Sequence, residues 1–304
     1  MRRLLSITLI LFFSITAYGT EAPQRPSITG VSHITLYADD MVRSQELYAG
    51  VLGWKQVNQG GMRFYANHLQ YVELLPPPEK GLENRLYGVG FVTSDAEKLR
   101  LYMSAHGVAV PDSVTTEPDG SRSFQVKDPE GNRVEFTQLG NRPPSAPSPV
   151  AMPVSGHIIH VGFVVRNRAL LDHFYKDLLG FHLYWQGGQP PEHTDWVMMQ
   201  VPDGTDWLEY MLYLPAAPTA AQLGSANHLA PGVVSVQELA KTLKARGWKP
   251  TSQNGTPRLG VDGRWQLPLL DPDGTRLEFM EFQPVKTPCC SPYSGTQPSP
   301  PDAW

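Results

Sequence analysis

The sequence contains two copies of one pattern. His33 and Gly53 are 20 positions apart (53 − 33), and His160 and Gly180 keep the same spacing (180 − 160). Each copy closes with Asp-Pro-x-Gly-x-x-x-Glu, in which the turn residues Pro and Gly lead into an apolar strand. An ungapped spacing and a shared closing turn together indicate that one folding unit was duplicated. The two closing segments are Asp128–Phe136 and Asp271–Phe279.

A second division is visible inside each copy. An apolar strand is followed by an amphipathic helix and then by further strand candidates, after which the same order restarts. Asp40 is a predicted N-cap, and Ser94 and Ser235 each begin a capping box with the Glu three positions later. A short strand is also expected at Val108–Val110. The sequence therefore predicts an α+β protein made of four βαβββ units.

Pro-rich segments divide the chain of 304 residues. The whole chain, with 41% hydrophobic and 18% charged residues, has the composition of a globular protein. The segment Asn141–Ser155 is typical of a linker, and the C-terminal segment is expected to be extended or disordered. The predicted layout is a signal peptide at 1–19, a first domain at 28–140, the linker at 141–155, a second domain at 156–285 and a disordered tail at 286–304.

The N-terminus has the pattern of a secretory signal. Arg2 and Arg3 give a positive start, and Leu4–Thr16 is apolar but too short to cross a bilayer. Residues 17–19 form a small-x-small cleavage site, and an uncleaved anchor is the alternative. We expect the mature chain to be exported, to the periplasm or the medium, and to keep no stable membrane span.

The charge and the cysteines limit the partners of the chain. The formal net charge is −4 and no basic cluster lies outside the first three residues, so a nucleic-acid partner is not expected. The expected partner is a small-molecule substrate, and the expected state is a monomer or a homodimer. The two cysteines, Cys289 and Cys290, are adjacent. A vicinal disulfide, a bond between chains and a soft-metal site all remain open for them.

One His–Glu pair points to a metal ion. His228 opens an apolar segment, and Glu278 lies in an apolar strand, where an unpaired carboxylate would be costly to bury. Two such side chains on separate strands are consistent with two ligands of one metal. For this pair alone, the alternative is a core His with satisfied hydrogen bonds and a Glu that faces outward.

The four units, with a His on the opening strand and a Glu on the closing strand, resemble the vicinal oxygen chelate superfamily. This group includes glyoxalase I, extradiol dioxygenases and fosfomycin- and bleomycin-resistance proteins. The resemblance covers about residues 30–140 and 156–284, and rests on Leu52-Gly53 and Leu179-Gly180 together with the two closing motifs. It implies two glyoxalase-like, cupped-sheet domains, each built from two units.

The resemblance also implies a site for one divalent metal, Fe²⁺, Mn²⁺, Zn²⁺ or Ni²⁺, held by the opening and closing strands of two units. We expect a working site in the second domain. In the first domain Val89 stands where the second His is expected, so a degenerate or empty cup is predicted there. The implied ligands are His160, Glu209, His228 and Glu278, and the weaker first-domain set is His33, Glu73 and Glu135.

A site of this kind implies an enzyme. Two His and two carboxylates leave about two octahedral positions for a substrate with neighbouring oxygens. Either Glu209 or Glu278 is a candidate general base, and without Glu209 the other three ligands form the facial triad of Fe(II) oxygenases. Residues 259–268 lack the His and Tyr that extradiol enzymes carry there, so dioxygenase-like and lyase- or isomerase-like chemistry both stay open. The alternatives are a metal-free binding or sequestering protein and a purely structural metal site.

Overall fold

A computed structural model of the chain describes residues 23–59, 61–140, 152–250 and 255–300. The predicted signal peptide and most of the predicted linker lie outside the described residues. The described chain forms two curled, eight-stranded sheets, one from each copy of the repeated pattern. Each sheet is a half-barrel built from two βαβββ units, which confirms the predicted α+β fold with two cupped-sheet domains.

The first sheet joins two units side by side. Its elements are β1 (Ile28–Tyr37), α1 (Met41–Gln45, continued by a π-helical segment Glu46–Val51), β2 (Lys55–Gln59), β3 (Gly61–Tyr65), β4 (Tyr71–Leu75), β5 (Leu86–Thr93), α2 (Ala96–Ala105), β6 (Thr115–Thr116), β7 (Arg122–Lys127) and β8 (Arg133–Gln138). The strand order is β2-β3-β4-β1-β5-β8-β7-β6. In each unit the last strand returns parallel to the first, and the two units meet where β1 and β5 run antiparallel.

The second sheet repeats this topology. Its elements are β9 (Ile158–Val164), α3 (Arg168–Asp172, continued by a π-helical segment His173–Leu178), β10 (His182–Gly187), β11 (Trp196–Gln200), β12 (Trp207–Met211), α4 (Ala220–Ala226), β13 (His228–Val233), α5 (Val236–Ala245), β14 (Arg258–Leu259), β15 (Trp265–Leu270) and β16 (Arg276–Glu281). The strand order β10-β11-β12-β9-β13-β16-β15-β14 matches that of the first sheet. The duplication seen in the sequence is therefore a duplication of the whole sheet.

Short polar side chains begin the helices. Asp40, Asn167 and Ser235 each accept the backbone N–H three residues later, which satisfies a donor that the helix itself leaves free. The prediction for α2 was wrong by one residue, because Asp95 and not Ser94 is the N-cap. Among the residues that the structure describes, none of the helices combines the length and the apolarity needed to cross a bilayer.

Two other local predictions differ from the structure. Val108–Val110 forms no strand, because Val108 and Val110 pack against the core without joining a strand ladder. The short helix α4 was not predicted, since its seven residues are too few to show a helical hydrophobic period.

The duplicated motif also holds the two domains together. The hydroxyl of Tyr48 in the first domain donates to Asp271 Oδ2 of the second at 3.3 Å. In the reverse direction, the Tyr175 hydroxyl donates to Asp128 Oδ2 at 3.2 Å. Each Asp is the first residue of a closing Asp-Pro-x-Gly turn, so both contacts come from equivalent positions. Apolar side chains of both domains form one continuous core between these contacts.

The C-terminal segment, residues 286–300, differs from the predicted disordered tail. It contains no helix or strand, but it packs along the second domain. The Ser294 N–H donates to the Tyr184 carbonyl at 2.9 Å, and the Cys289 N–H donates to the Val261 carbonyl at 2.9 Å. The backbone of this segment therefore has hydrogen-bond partners in the second domain, which could not be predicted from amino-acid composition. Cys289 and Cys290 form a vicinal disulfide, one of the three alternatives left open by the sequence.

Candidate metal centre

Four buried side chains meet in the cup of the second sheet. The Nε2 atoms of His160 and His228 are 3.0 Å apart, and His228 Nε2 lies 3.1 Å from Glu209 Oε2. Glu278 Oε2 is 3.6 Å from His228 Nε2 and 3.9 Å from His160 Nε2. All four residues are buried, and one ligand atom from each lies within 4.8 Å of the others. The structure thus brings together the complete ligand set predicted for the second domain.

The strand order explains why distant residues converge. The four side chains come from β12, β9, β13 and β16, which are adjacent in the middle of the sheet. Because side chains alternate between the two faces of a strand, one position on each strand can face the cup. Gly162 gives the His228 ring its space, since a Cβ there would lie 2.2 Å from His228 Cε1. Any side chain at Gly162 would displace this imidazole from the cluster.

Hydrogen bonding and burial set the protonation state of the two imidazoles. Nδ1 of His228 donates to the Ala226 carbonyl at 2.8 Å, so its lone pair is on Nε2, the atom that faces the cluster. Burial lowers the pKa of His228 to about 3, and burial together with the neighbouring His228 lowers the pKa of His160. Both rings are therefore neutral at neutral pH, which is the form that binds metals.

The two carboxylates have different surroundings. Arg276 Nη1 donates to Glu278 Oε1 at 2.8 Å, which leaves Oε2 of Glu278 facing the imidazoles. Within the described part of the chain, no Arg or Lys lies within ion-pair distance of Glu209. Burial raises the pKa of Glu209 to about 7, although Arg276 and Arg264 act in the opposite direction. Glu278 is thus restrained by a guanidinium, whereas Glu209 is not.

The donor set fits a divalent cation. Two imidazole nitrogens and two carboxylate oxygens suit Fe²⁺, Mn²⁺, Zn²⁺ or Ni²⁺. Two ligand atoms about 2.1 Å from one ion and at right angles are about 3.0 Å apart, and the Nε2 atoms of His160 and His228 have this separation of 3.0 Å. Nδ1 of His160 is buried and has no hydrogen-bond partner among the described residues. In this structure, Nε2 of His160 donates a hydrogen bond to Nε2 of His228. A cation bound by both Nε2 atoms would replace this contact, with the proton of His160 on Nδ1.

A cavity of about 230 Å³ opens onto the two carboxylates of the cluster, Glu209 and Glu278. Trp196 and Met198, which lie on β11, line it beside the two carboxylates. Sequence reasoning missed Arg276, although it precedes Glu278 by two positions on β16 and so shares its face. The other lining side chains that it missed come from distant segments and carry no local signal. They are Trp185, Gln189, Arg258, Asp262 and Gln266.

The first domain does not assemble the corresponding ligand set. Among the described residues, His33, Glu73 and Glu135 form no group able to hold a metal ion. Arg63 Nε donates to Glu73 Oε1 at 2.8 Å, and the Thr35 hydroxyl donates to Glu73 Oε2 at 3.2 Å. Both oxygens of this carboxylate are therefore engaged by the protein itself.

The strand register shows one difference between the cup of the first sheet and that of the second. Arg63 lies opposite Glu73 in the β3–β4 pair, and Met198 lies opposite Glu209 in the matching β11–β12 pair. The first domain thus carries a guanidinium at the position where the second domain has an uncharged thioether. A fixed cationic side chain supplies positive charge in the first cup, and this disfavours a metal ion there.

The prediction that Val89 replaces the second His was wrong by one position. His228 pairs with Gly162 on β9, and it is Gly88 that pairs with Thr35, the matching residue on β1. Residues 86–93 contain no His, Asp or Glu that could anchor the comparison, so only the strand register fixes which residue occupies this position. The conclusion is unchanged, because Gly88 also offers no imidazole.

Acid should destabilise the first domain through His33. Burial lowers the pKa of His33 to about 4, from an ordinary value of 6.5. As the pH falls below 6.5, the unfolded chain binds a proton here, and the folded chain does not until about pH 4. The free energy of unfolding should therefore fall by about 3 kcal/mol across this range. Urea unfolding of the wild type and His33→Gln at several pH values measures this.

His33→Gln is expected to lose less stability over the same range, because its amide does not titrate. The other buried histidines contribute equally to both proteins, so they cancel in the difference. Parallel curves of stability against pH would contradict the prediction.

One protein-family model, described as the Glyoxalase/Bleomycin resistance protein/Dioxygenase superfamily, matches residues 30–136 and 157–279. The two matched segments coincide with the two sheets, so the model recognises each copy of the duplicated domain. No curated protein matches the chain significantly.

Solved structures share the fold over most of the chain. The Mn(II)-bound glyoxalase from Novosphingobium aromaticivorans is 19% identical, with a TM-score of 0.61 over 84% of this chain and 83% of that one. An extradiol ring-cleaving dioxygenase from B. fuscum is 16% identical, with a TM-score of 0.62 over 86% and 74%. The 2,3-dioxygenase LapB from Pseudomonas sp. KL28 is 15% identical, with a TM-score of 0.61 over 92% and 97%. At these identities the likeness establishes the fold alone.

Proposed function

Because the chain belongs to the Glyoxalase/Bleomycin resistance protein/Dioxygenase superfamily, we propose that it is an exported metalloenzyme. Its second domain would act on a small molecule with two neighbouring oxygen atoms. The observation that carries this proposal is the convergence of four buried ligand atoms within 4.8 Å. A protein that only sequesters a small molecule has no use for four such donors. Two carboxylates are also unusual in a structural zinc site.

The similar structures support an enzyme over a binding protein. One is a Mn(II)-bound glyoxalase, and others are ring-cleaving dioxygenases. For this chain we infer one divalent metal in the second domain. The harder, oxygen-containing donor set suits Fe²⁺, Mn²⁺, Zn²⁺ or Ni²⁺ better than a soft ion such as Cu⁺.

The surroundings of the ligands suggest separate roles. His160, His228 and Glu278 hold the cation, and Glu209 is the fourth ligand and the general base. When bound, the cation supplies Lewis-acid polarisation of two adjacent substrate oxygens. Glu209, which no guanidinium of the described residues holds at ion-pair distance, takes a proton from the carbon or hydroxyl beside those oxygens. The described lining of the cavity contains neither His nor Tyr, so Glu209 has no competing base of those types.

The cavity also narrows the substrate class. Its volume of about 230 Å³ suits a molecule of one ring or smaller, and the rings of Trp185 and Trp196 suit a planar one. Arg258 and Arg276 line the same cavity. A divalent cation and these two guanidinium groups together outweigh the three lining carboxylates, Glu209, Glu278 and Asp262, by one positive charge, which favours a substrate that binds as an anion. We propose a small, planar molecule that becomes an enolate or a catecholate on binding.

An activity screen tests this proposal. The protein, loaded in turn with Fe²⁺, Mn²⁺, Ni²⁺ and Zn²⁺, is incubated with catechols and 2-oxoaldehydes, in air and without O₂. We expect turnover of a compound with two adjacent free oxygens, and none of the derivative in which one oxygen is methylated. Activity that persists without O₂ identifies lyase or isomerase chemistry, and activity that requires O₂ identifies a dioxygenase. A metal-loaded protein that binds no chelating compound would contradict the proposal.

Glu209→Gln should separate catalysis from metal binding. We expect this variant to retain the metal, because both imidazoles and the restrained carboxylate of Glu278 remain. Turnover should fall by about 100-fold or more, because the general base is lost. Glu278→Gln is the matched comparison, and it should lose metal as well, since it removes the ligand that Arg276 restrains. Equal metal loss in the two variants would show that metal binding depends on Glu209 as much as on Glu278, and would contradict the proposed separation of catalysis from metal binding.

We also propose that the enzyme works outside the cytoplasm. The support is the N-terminal pattern of Arg2 and Arg3 before the apolar Leu4–Thr16, together with the Cys289–Cys290 disulfide, a bond that persists in oxidising compartments. Fractionation of expressing cells should find the chain, shortened by residues 1–19, in the periplasm or the medium. A full-length chain in the membrane fraction would instead support an uncleaved anchor.

A further inference from the structure

The two histidines of the cluster are oriented in different ways. The ring of His228 is held by the hydrogen bond from its Nδ1 to the Ala226 carbonyl. The ring of His160 has no such bond, because its buried Nδ1 lacks a partner in the described part of the chain. His160 instead stacks on Trp207, with ring centroids 4.7 Å apart and planes 27° apart. Its orientation therefore depends on where Trp207 is held.

Trp207 is backed by a buried guanidinium. The Cζ atom of Arg264 lies 5.3 Å from the centroid of the Trp207 ring, and both side chains are fully buried. Arg264 also lies 3.6 Å from a carboxylate oxygen of Asp262, and it donates to the Tyr184 hydroxyl at 2.8 Å. Burial of a charge is costly unless its donors find acceptors, and Nε of Arg264 has none among the described residues, so the bonds made by Nη1 and Nη2 matter more.

The C-terminal segment completes the surroundings of Arg264. Tyr293 places its ring 4.4 Å from Arg264 Cζ, and its hydroxyl accepts a hydrogen bond from Nη1. Gln297 Oε1 accepts a hydrogen bond from Nη2. Both residues belong to the segment 286–300. Contacts therefore run without a break from this segment, through Arg264 and Trp207, to a proposed metal ligand.

We propose that the C-terminal segment positions His160 for metal binding. Tyr293 and Gln297 keep Arg264 in place, Arg264 keeps Trp207 flat against His160, and the stacked imidazole keeps its Nε2 in the cluster. Without the two acceptors, the guanidinium is left buried and under-bonded, and it shifts toward water. Trp207 then loses its backing, and the ring of His160 is free to turn. This inference rests on the proposed metal site and adds three positioning residues, Arg264, Tyr293 and Gln297.

The test measures metal affinity in the full chain carrying both Tyr293→Phe and Gln297→Leu. Co²⁺ alone is the probe, because its visible absorption reports both binding and ligand geometry. We expect the Kd for Co²⁺ to rise by about 10- to 100-fold, the usual effect of losing support for a metal ligand. We also expect a changed absorption spectrum. Tyr293→Phe alone keeps the ring over Arg264 and should show a smaller shift of the same kind, which provides the readout if the double variant does not fold.

Ser291→Ala is the matched control. Ser291 holds the same segment through hydrogen bonds with the backbone N–H and carbonyl of Gln186, both at 2.9 Å, but neither bond involves Arg264. This variant should bind Co²⁺ as the wild type does. A double variant with a lower Tm but the wild-type affinity and spectrum would overturn the inference and leave the proposed function standing. A wild type that binds neither Co²⁺ nor any of the four cations of the activity screen would overturn both this inference and the proposed function.

Discussion

His160→Gln is expected to reduce the metal content from about one ion per chain to none detectable. The variant keeps one imidazole and two carboxylates, a harder and weaker donor set, so we expect affinity to fall by more than about 100-fold. Glutamine is close to histidine in size, which limits damage to packing at a fully buried position. Elemental analysis of dialysed protein, purified without a histidine tag, provides the measurement.

The duplication supplies a matched control for this experiment. His33 is the equivalent residue of the first domain, it is also buried, and it stacks on Tyr71 at 4.8 Å much as His160 stacks on Trp207. His33→Gln should therefore disturb packing to a similar degree and leave the metal content unchanged. Loss of metal from both variants would show that the effect comes from packing. A wild type that takes up none of the four cations would favour a metal-free binding protein.

Asp206→Ala is expected to lower the free energy of unfolding by about 3–5 kcal/mol, as breaking a buried ion pair commonly does. Its Oδ2 accepts the Val31 N–H at 2.9 Å and the Gln70 amide at 3.3 Å, and its Oδ1 lies 2.7 Å from His157 Nε2. Removal of this buried carboxylate leaves donors from both domains without an acceptor. Urea denaturation followed by intrinsic fluorescence measures the loss.

Asp203→Ala is the control for Asp206→Ala. Asp203 comes from the same β11–β12 connection and also accepts a first-domain backbone N–H, that of Ile28, at 2.8 Å. It is more exposed, and its ion-pair partner Arg25 is near the surface, so the expected loss is about 1 kcal/mol or less. Similar losses in the free energy of unfolding would show that the buried network around Asp206 stabilises the protein no more than the exposed contacts of Asp203 do.

The effect of Asp206→Ala should also depend on pH. Burial lowers the pKa of His157, but the charge and hydrogen bond of Asp206 outweigh this, so the pKa is raised above 6.5. A raised histidine pKa gives stability that is fully present below pH 6.5 and is lost as the pH rises through the folded-state value. The difference between the wild type and Asp206→Ala should therefore be largest in mild acid. A difference that grows with rising pH would contradict this assignment.

Much of the fold could be predicted because its signals are local and repeated. The spacing from His33 to Gly53 and the closing Asp-Pro-x-Gly turns mark the units, and both turns lead into strands, β8 and β16, as predicted. The errors are also local. Asp95 and Ser94 are both good N-caps, and only the path of the chain into α2 selects between them.

The ligand set could be predicted for a related reason. The residues alone pointed to His228 and Glu278, which are ionisable side chains inside apolar strands and each need a partner, and the family resemblance implied the full set with His160 and Glu209. The residues that contact these ligands and hold them in place could not be predicted. Trp207, Arg264 and Tyr293 are far apart in sequence, and each is an ordinary residue for its own segment.

The sequence by itself determined the repeated units and the α+β class, because those depend on spacing and hydrophobic pattern along one chain, and its family resemblance implied the four candidate ligands. Only the tertiary structure decided that the four ligand atoms lie within 4.8 Å of one another. It also decided that Arg63 engages Glu73 in the first cup and that residues 286–300 pack beside the site. Those outcomes depend on strand register and on contacts between distant segments. A shift of one residue in register reverses the face of every side chain on a strand, and residue types alone do not fix that choice.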